Sequence, residues 1–102
     1  MFQHIGVLTL TDSATAADKT AIADGLRALP GRIDGLLGAR VVLDAGLREG
    51  NSDLLFCMDF DTRAAWEAYG SHPEHVAVVQ QLIAPVLASK TFVQVEDADQ
   101  PL

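Results

Sequence analysis

Apolar and β-branched residues crowd the stretch from Phe2 to Thr9, which runs into the polar Thr11-Asp12-Ser13 and so reads as a strand. Asp12 or Ser13 can cap a helix after it, and Ile22, Leu26 and Leu29 recur at spacings of four and three, one face of that helix. Pro30-Gly31 stops it. After a short segment around Ile33 to Leu37, Arg40 to Leu43 reads as a second strand. Gly46 to Asp53 is a polar, hairpin-type connection, and Leu54 to Phe60 is a third strand. Asp61 can cap a short helix through Tyr69, broken at Gly70-Ser71-His72-Pro73. Proline suits the first position of a new helix, and Glu74 suits its positive end. His75, Val79, Leu82 and Val86 then form an apolar stripe, Pro85 kinks or ends the helix, and Thr91 to Val95 is the last strand. The acidic stretch from Glu96 to Gln100 reads as solvated.

The order is βαββαβ with the second helix in two pieces. Its simplest packing is an α+β, ferredoxin-like antiparallel sheet with helices on one face. Side chains alternate along a strand, so Leu8 and Leu10 point one way while Ile5 and Val7 point the other. In the third strand Leu54, Phe56, Met58 and Phe60 alternate with Leu55 and Cys57. A sheet with one wet face should alternate apolar with polar residues. Both faces here are apolar and helices can cover only one, so the pattern predicts a homodimer through the helix-free sheet face.

With 102 residues the chain is one domain's worth, taken as residues 1–97 with a solvated tail at 98–102. A net charge of −7 and only seven basic residues exclude a phosphate-binding surface, so neither nucleic acid nor an anionic membrane is an expected partner. No apolar run reaches the length of a membrane span, and Met1-Phe2-Gln3-His4 lacks the features of a secretion signal. The lone cysteine, Cys57, rules out an intrachain disulfide and suits a reducing compartment, so a cytoplasmic location is expected.

The segment Ala68-Tyr69-Gly70-Ser71-His72-Pro73-Glu74-His75 resembles the tyrosine–HPxH signature of the stress-responsive A/B barrel (Dabb) domain. Three further features fit that resemblance: His4 at the start of the first strand, Leu29-Pro30 at the end of the first helix, and Asn51-Ser52-Asp53 before the third strand. The likeness runs from about His4 to Asp97. It implies ferredoxin-like subunits whose sheets pair face to face into a dimeric α/β barrel. Some members of the family are stress-associated, and a few resemble polyketide cyclases in which a helix histidine and a nearby tyrosine act on a polyketide between sheet and helices. By motif position that pair is His75 and Tyr69, with His4 lining the same pocket. The chain departs from the cyclases in having a single tyrosine, and in having Leu54 and Leu55 where a histidine could serve.

Topology supports the same grouping, because the first strand starts at the end of the sheet where the third finishes and the second helix begins. A neutral imidazole there can act as general base and a phenol can donate to a developing oxyanion. The competing reading is a hydrogen-bonded network that closes the helix break. Trp66 and Phe60 are expected in the core or the pocket wall. His72 is expected to cap the helix at Pro73, and Cys57 to be a small core residue. His72 and His75 lack a third metal ligand in sequence, so neither metal nor other cofactor is expected. Three functions fit: a binder or enzyme for a small apolar or polyketide-like molecule, a non-catalytic stress-associated dimeric module, and a monooxygenase-like dimeric barrel.

Overall fold

A computed structural model describes residues 1–97 and 100–102. The chain runs β1 (Phe2–Leu10), α1 (Ala16–Arg27), β2 (Leu36–Leu43), β3 (Leu54–Phe60), α2 (Arg63–Tyr69), α3 (Pro73–Val78) and β4 (Leu87–Glu96). Between α3 and β4 the helix widens into a π turn over Val79–Ile83 and tightens into a 3-10 turn over Ala84–Val86. β2 and β4 are longer than the sequence pattern suggests, because cross-strand pairing recruits flanking residues of weak β preference.

The helix caps fall later than Asp12 or Ser13 and Asp61. Thr15 caps α1 reciprocally: its hydroxyl accepts from the Asp18 amide at 3.1 Å, and the Asp18 carboxylate accepts from the Thr15 amide at 2.8 Å. Ser13 is engaged with the Thr11 hydroxyl instead. Thr62 caps α2, accepting from the Ala65 amide at 3.2 Å. His72 caps α3 as expected, its Nδ1 accepting from the Glu74 amide at 3.1 Å.

The four strands form one antiparallel sheet in the order β2-β3-β1-β4, the ferredoxin-like arrangement. On one face Phe2, Leu8, Leu10, Val41, Leu54, Met58 and Phe60 meet Ile22, Ala23, Leu26 and Leu29 from α1 and its exit, closing the core. Helix α1 packs over β2, and α2 packs over β1 and β3. The edge strand β4 is left largely uncovered, so Phe92 on the helix side is 41% exposed. On the other face, where no helix packs, Ile5, Val7, Val42, Leu55 and Val93 form an apolar surface in register across the strands.

That surface carries one polar cluster. The Asp59 carboxylate accepts from Gln3 Nε2 at 2.8 Å and from Arg40 Nη1 at 2.6 Å, and Arg40 Nη2 lies 2.9 Å from Cys57 Sγ. Cys57 is buried as expected, but on the helix-free face and against a guanidinium rather than among apolar side chains. Of the tail expected to be solvated, residues 98 and 99 lie outside the described residues. Beyond them Leu102 exposes its side chain while its main chain pairs with the Gln3 side chain: its amide donates to Oε1 at 3.1 Å and its main-chain oxygen accepts from Nε2 at 2.9 Å. Among the described residues no helix is long and apolar enough to cross a membrane.

Candidate functional site

Alternation along β1 puts His4 on the helix side between Phe2 and Gly6, opposite Met58 on β3 and Gln94 on β4. Its ring is surrounded by aromatic rings, with centroids at 5.0 Å to Phe92, 5.2 Å to Phe56, 5.9 Å to Trp66 and 6.4 Å to Tyr69. The Gln94 amide nitrogen donates to His4 Nδ1 at 3.0 Å. Nδ1 therefore accepts, and in the neutral ring the proton sits on Nε2. Burial, with the His75 ring as second cause, lowers the His4 pKa to about 4, so the ring is neutral at pH 7.

Gly6 is what lets the aromatic rings close in beside His4. A Cβ there would stand 2.4 Å from Phe56 Cζ and 2.6 Å from Phe92 Cδ1. Glycine inside a central strand weakens it, and close approach of other groups is the usual reason it is kept.

Tyr69 is the last residue of α2, and its ring is wedged between Phe60 at 5.1 Å and His75 at 4.0 Å. The break at Gly70-Ser71 turns the chain back, closed by the His72 amide donating to the Tyr69 carbonyl at 3.1 Å. Helix α3 then starts on Pro73, and its first turn swings His75 onto the tyrosine. His75 Nδ1 lies 3.2 Å from the Gly70 carbonyl. A carbonyl only accepts, so Nδ1 carries the proton and Nε2 is left with a free lone pair. Burial lowers the His75 pKa against the opposing effect of its backbone hydrogen bonds. Burial alone pushes the Tyr69 phenol well above its ordinary value. Among the described residues nothing hydrogen-bonds the Tyr69 hydroxyl, and its oxygen is not sealed off.

These three side chains meet at a cavity of about 170 Å³ between sheet and helices, whose apolar wall includes Leu8, Leu26, Phe56, Val79 and Ile83. The widened π turn supplies Val79 and Ile83; such turns recur at functional sites. The cavity adjoins a shallower hollow of about 400 Å³ bounded by Trp66, Glu67, Gly70 and Gln94, and His4, Tyr69, His75 and Phe92 border both.

Of the five residues picked out in the sequence, His4, Tyr69, His75 and Trp66 thus converge. Phe60 does not reach either space; it is fully buried and backs the Tyr69 ring from behind. Phe56, Phe92, Gln94 and Lys90 border the site without having been singled out. The available signal was strand register: once His4 is placed, its neighbours on the paired strands follow by alternation. Among the described residues no three His, Cys, Asp or Glu side chains gather as metal ligands, and His72 is occupied as a helix cap.

The sequence matches the stress responsive A/B barrel domain family over residues 2–97. A dimeric ferredoxin-like protein of unknown function from Thermobifida fusca YX is 32% identical, with a TM-score of 0.80 over 92% of this chain and 88% of that one. A dimeric protein of unknown function and ferredoxin-like fold from Bacteroides fragilis NCTC 9343 is 25% identical, with a TM-score of 0.78 over 93% and 94% of the two chains. SnoaB, a cofactor-independent oxygenase from Streptomyces nogalater, superimposes with a TM-score of 0.75 over 99% and 95%, but at 11% identity this is a likeness of fold. No curated protein matches the sequence.

Proposed function

We propose that this chain, which belongs to the stress responsive A/B barrel domain family, forms a homodimer and binds a small apolar or aromatic, polyketide-like molecule in the cavity between its sheet and helices. The single observation that carries the reading is the convergence of His4, Tyr69 and His75 on one apolar cavity. A network serving only to close the helix break would spend its hydrogen bonds internally. Here the Tyr69 hydroxyl has no partner among the described residues, and each imidazole has one nitrogen engaged and one to spare. A non-catalytic module predicts a dry, filled interior at this place, which the open cavity disfavours.

The proton states suit acid–base work on a carbonyl compound. His75 Nε2 is the general base, taking a proton from a carbon next to the carbonyl. The electron pair passes to the carbonyl oxygen, which the Tyr69 hydroxyl and the His4 Nε2–H stabilise as donors. Because burial keeps both histidines neutral, the base is ready at pH 7 and is lost as the pH falls through the lowered His75 pKa.

Binding of 4-propylbenzyl alcohol can be followed by the emission of Trp66, the chain's sole tryptophan, which borders the site. Saturable quenching is expected, weakened by His75→Ala with little change in melting temperature. A melting temperature lowered as by a loss of about 1–3 kcal/mol, with affinity intact, would return His75 to the scaffold and overturn the reading.

A further inference from the structure

The cavity has an uneven rim. Its β4 side is where the helix layer leaves the edge strand bare, Phe92 being part-exposed, and the residues of β4 that face the helix side there are Lys90, Phe92 and Gln94. The Lys90 ammonium stands 5.4 Å above the Phe92 ring centroid and borders the 170 Å³ cavity, while Glu67 borders the adjoining hollow. Glu67 is already paired, its carboxylate accepting from Arg63 Nε at 3.1 Å. Lys90 has no carboxylate within ion-pair distance among the described residues, although the chain carries 14 acidic residues against 7 basic ones. Its charge instead faces an aromatic ring that is itself part of the cavity wall.

We propose that the site selects an acid: a small aromatic or apolar body enters the cavity and its carboxylate stays at the β4 side on the Lys90 ammonium. This deepens the reading of the cavity as a ligand site and rests on it. The apolar walls take the body of the ligand, and the donors deeper in the cavity take its other polar atoms. Lys90 meets the carboxylate at the rim, where both groups keep part of their hydration and the pairing costs little desolvation. Glu67, which borders the adjoining hollow, is paired with Arg63, so the cation left to meet a carboxylate at the cavity is Lys90.

The test pairs 4-propylbenzoate with the isosteric neutral 4-propylbenzyl alcohol, both read through Trp66 emission in the wild-type protein and in Lys90→Met, which keeps the apolar stem over Phe92. The wild type is expected to bind the benzoate about 3- to 10-fold more tightly than the alcohol, with the preference shrinking as salt is raised. In Lys90→Met the two affinities should converge, and in Lys90→Glu the order should reverse. Equal affinities in the wild type, or a preference that survives Lys90→Met, would overturn the assignment while leaving the cavity as a ligand site. Absence of saturable binding by either compound would remove the ligand-site reading and this inference with it.

Discussion

His4 sits where burial and a neighbouring imidazole both oppose protonation, which makes its low pKa a statement about stability as well as about chemistry. The unfolded chain takes up a proton on this residue near pH 6.5. The folded protein resists until about 4. Between those values the unfolded state binds more protons, so stability falls as the pH is lowered through the window and the loss stops growing below it. His75 adds to the same trend. Thermal melts between pH 7 and pH 4.5 should show a larger loss for the wild type than for His4→Phe, each measured against its own value at pH 7; equal losses would assign the acid sensitivity to other groups. Gly6 carries a second prediction. Gly6→Ala drives a methyl into Phe56 and Phe92, with an expected cost of about 1–3 kcal/mol and a narrower cavity; a melting temperature at or above the wild type's would mean the rings move aside freely. Tyr69 and His75 were legible in the sequence because they are chemically distinctive and sit in a recognisable spacing, and His4 because the topology brings the start of the first strand to the same end of the sheet. Gly6, Gln94 and Lys90 were not, since a glycine, an amide and a surface amine acquire meaning only once strand register brings them beside the histidine.

At the scale of elements, the strands were legible in their inner members and blurred at their edges. β3 falls within the expected residues because every second side chain is committed to the core, whereas β4, exposed along most of its length, gives alternation nothing to act on. The second helix shows the opposite case. A stripe of His75, Val79, Leu82 and Val86 assumes about 3.6 residues per turn throughout, but the Ala84 amide donates to the Val79 carbonyl five residues back, and that wide turn rotates the following side chains. Ile83 is buried in consequence, and Leu82 is only partly covered, set against Gly25 of α1. Truncation should follow the observed turn. Leu26→Ala and Ile83→Ala should each cost about 2–5 kcal/mol, and Leu82→Ala distinctly less. Urea titrations giving Leu82→Ala the larger loss of the two π-turn variants would show that the helix does not widen there in solution.

For the whole molecule the unresolved pressure is the helix-free face. Val42, Leu55 and Val93 are 56%, 41% and 55% exposed on three strands of this face, Val42 and Leu55 in register with Val7, and Val93 in the next row with Ile5, and a hollow of about 380 Å³ opens beside Val7, Val42 and Leu55. A continuous apolar surface of this kind is costly in water, and a second copy placed face to face would bury it on both subunits at once. The dimeric relatives from Thermobifida fusca and Bacteroides fragilis have the same fold, which adds weight to that assembly here. The cluster of Gln3, Arg40, Cys57 and Asp59 lies on the same face with its polar atoms already paired, so it can be covered without stranding a charge; hydrogen bonds from Arg40 and Gln3 hold the Asp59 carboxyl below its ordinary pKa although burial works to raise it. Leu102, docked on Gln3, sits over this cluster and must either be sandwiched in the interface or give way to it. The expected assembly is a dimer burying on the order of 1,600 Å² in total. Leu55→Asp places a charge on an inner strand at the middle of that face, so light scattering at micromolar concentration should report a dimer for the wild type and a monomer for the variant. Far-UV circular dichroism should stay close to the wild type's, because Leu55 faces away from the helix-covered core. A wild-type monomer at that concentration, or a Leu55→Asp variant that remains dimeric, would move the interface off this face and leave its apolar surface to some other cover.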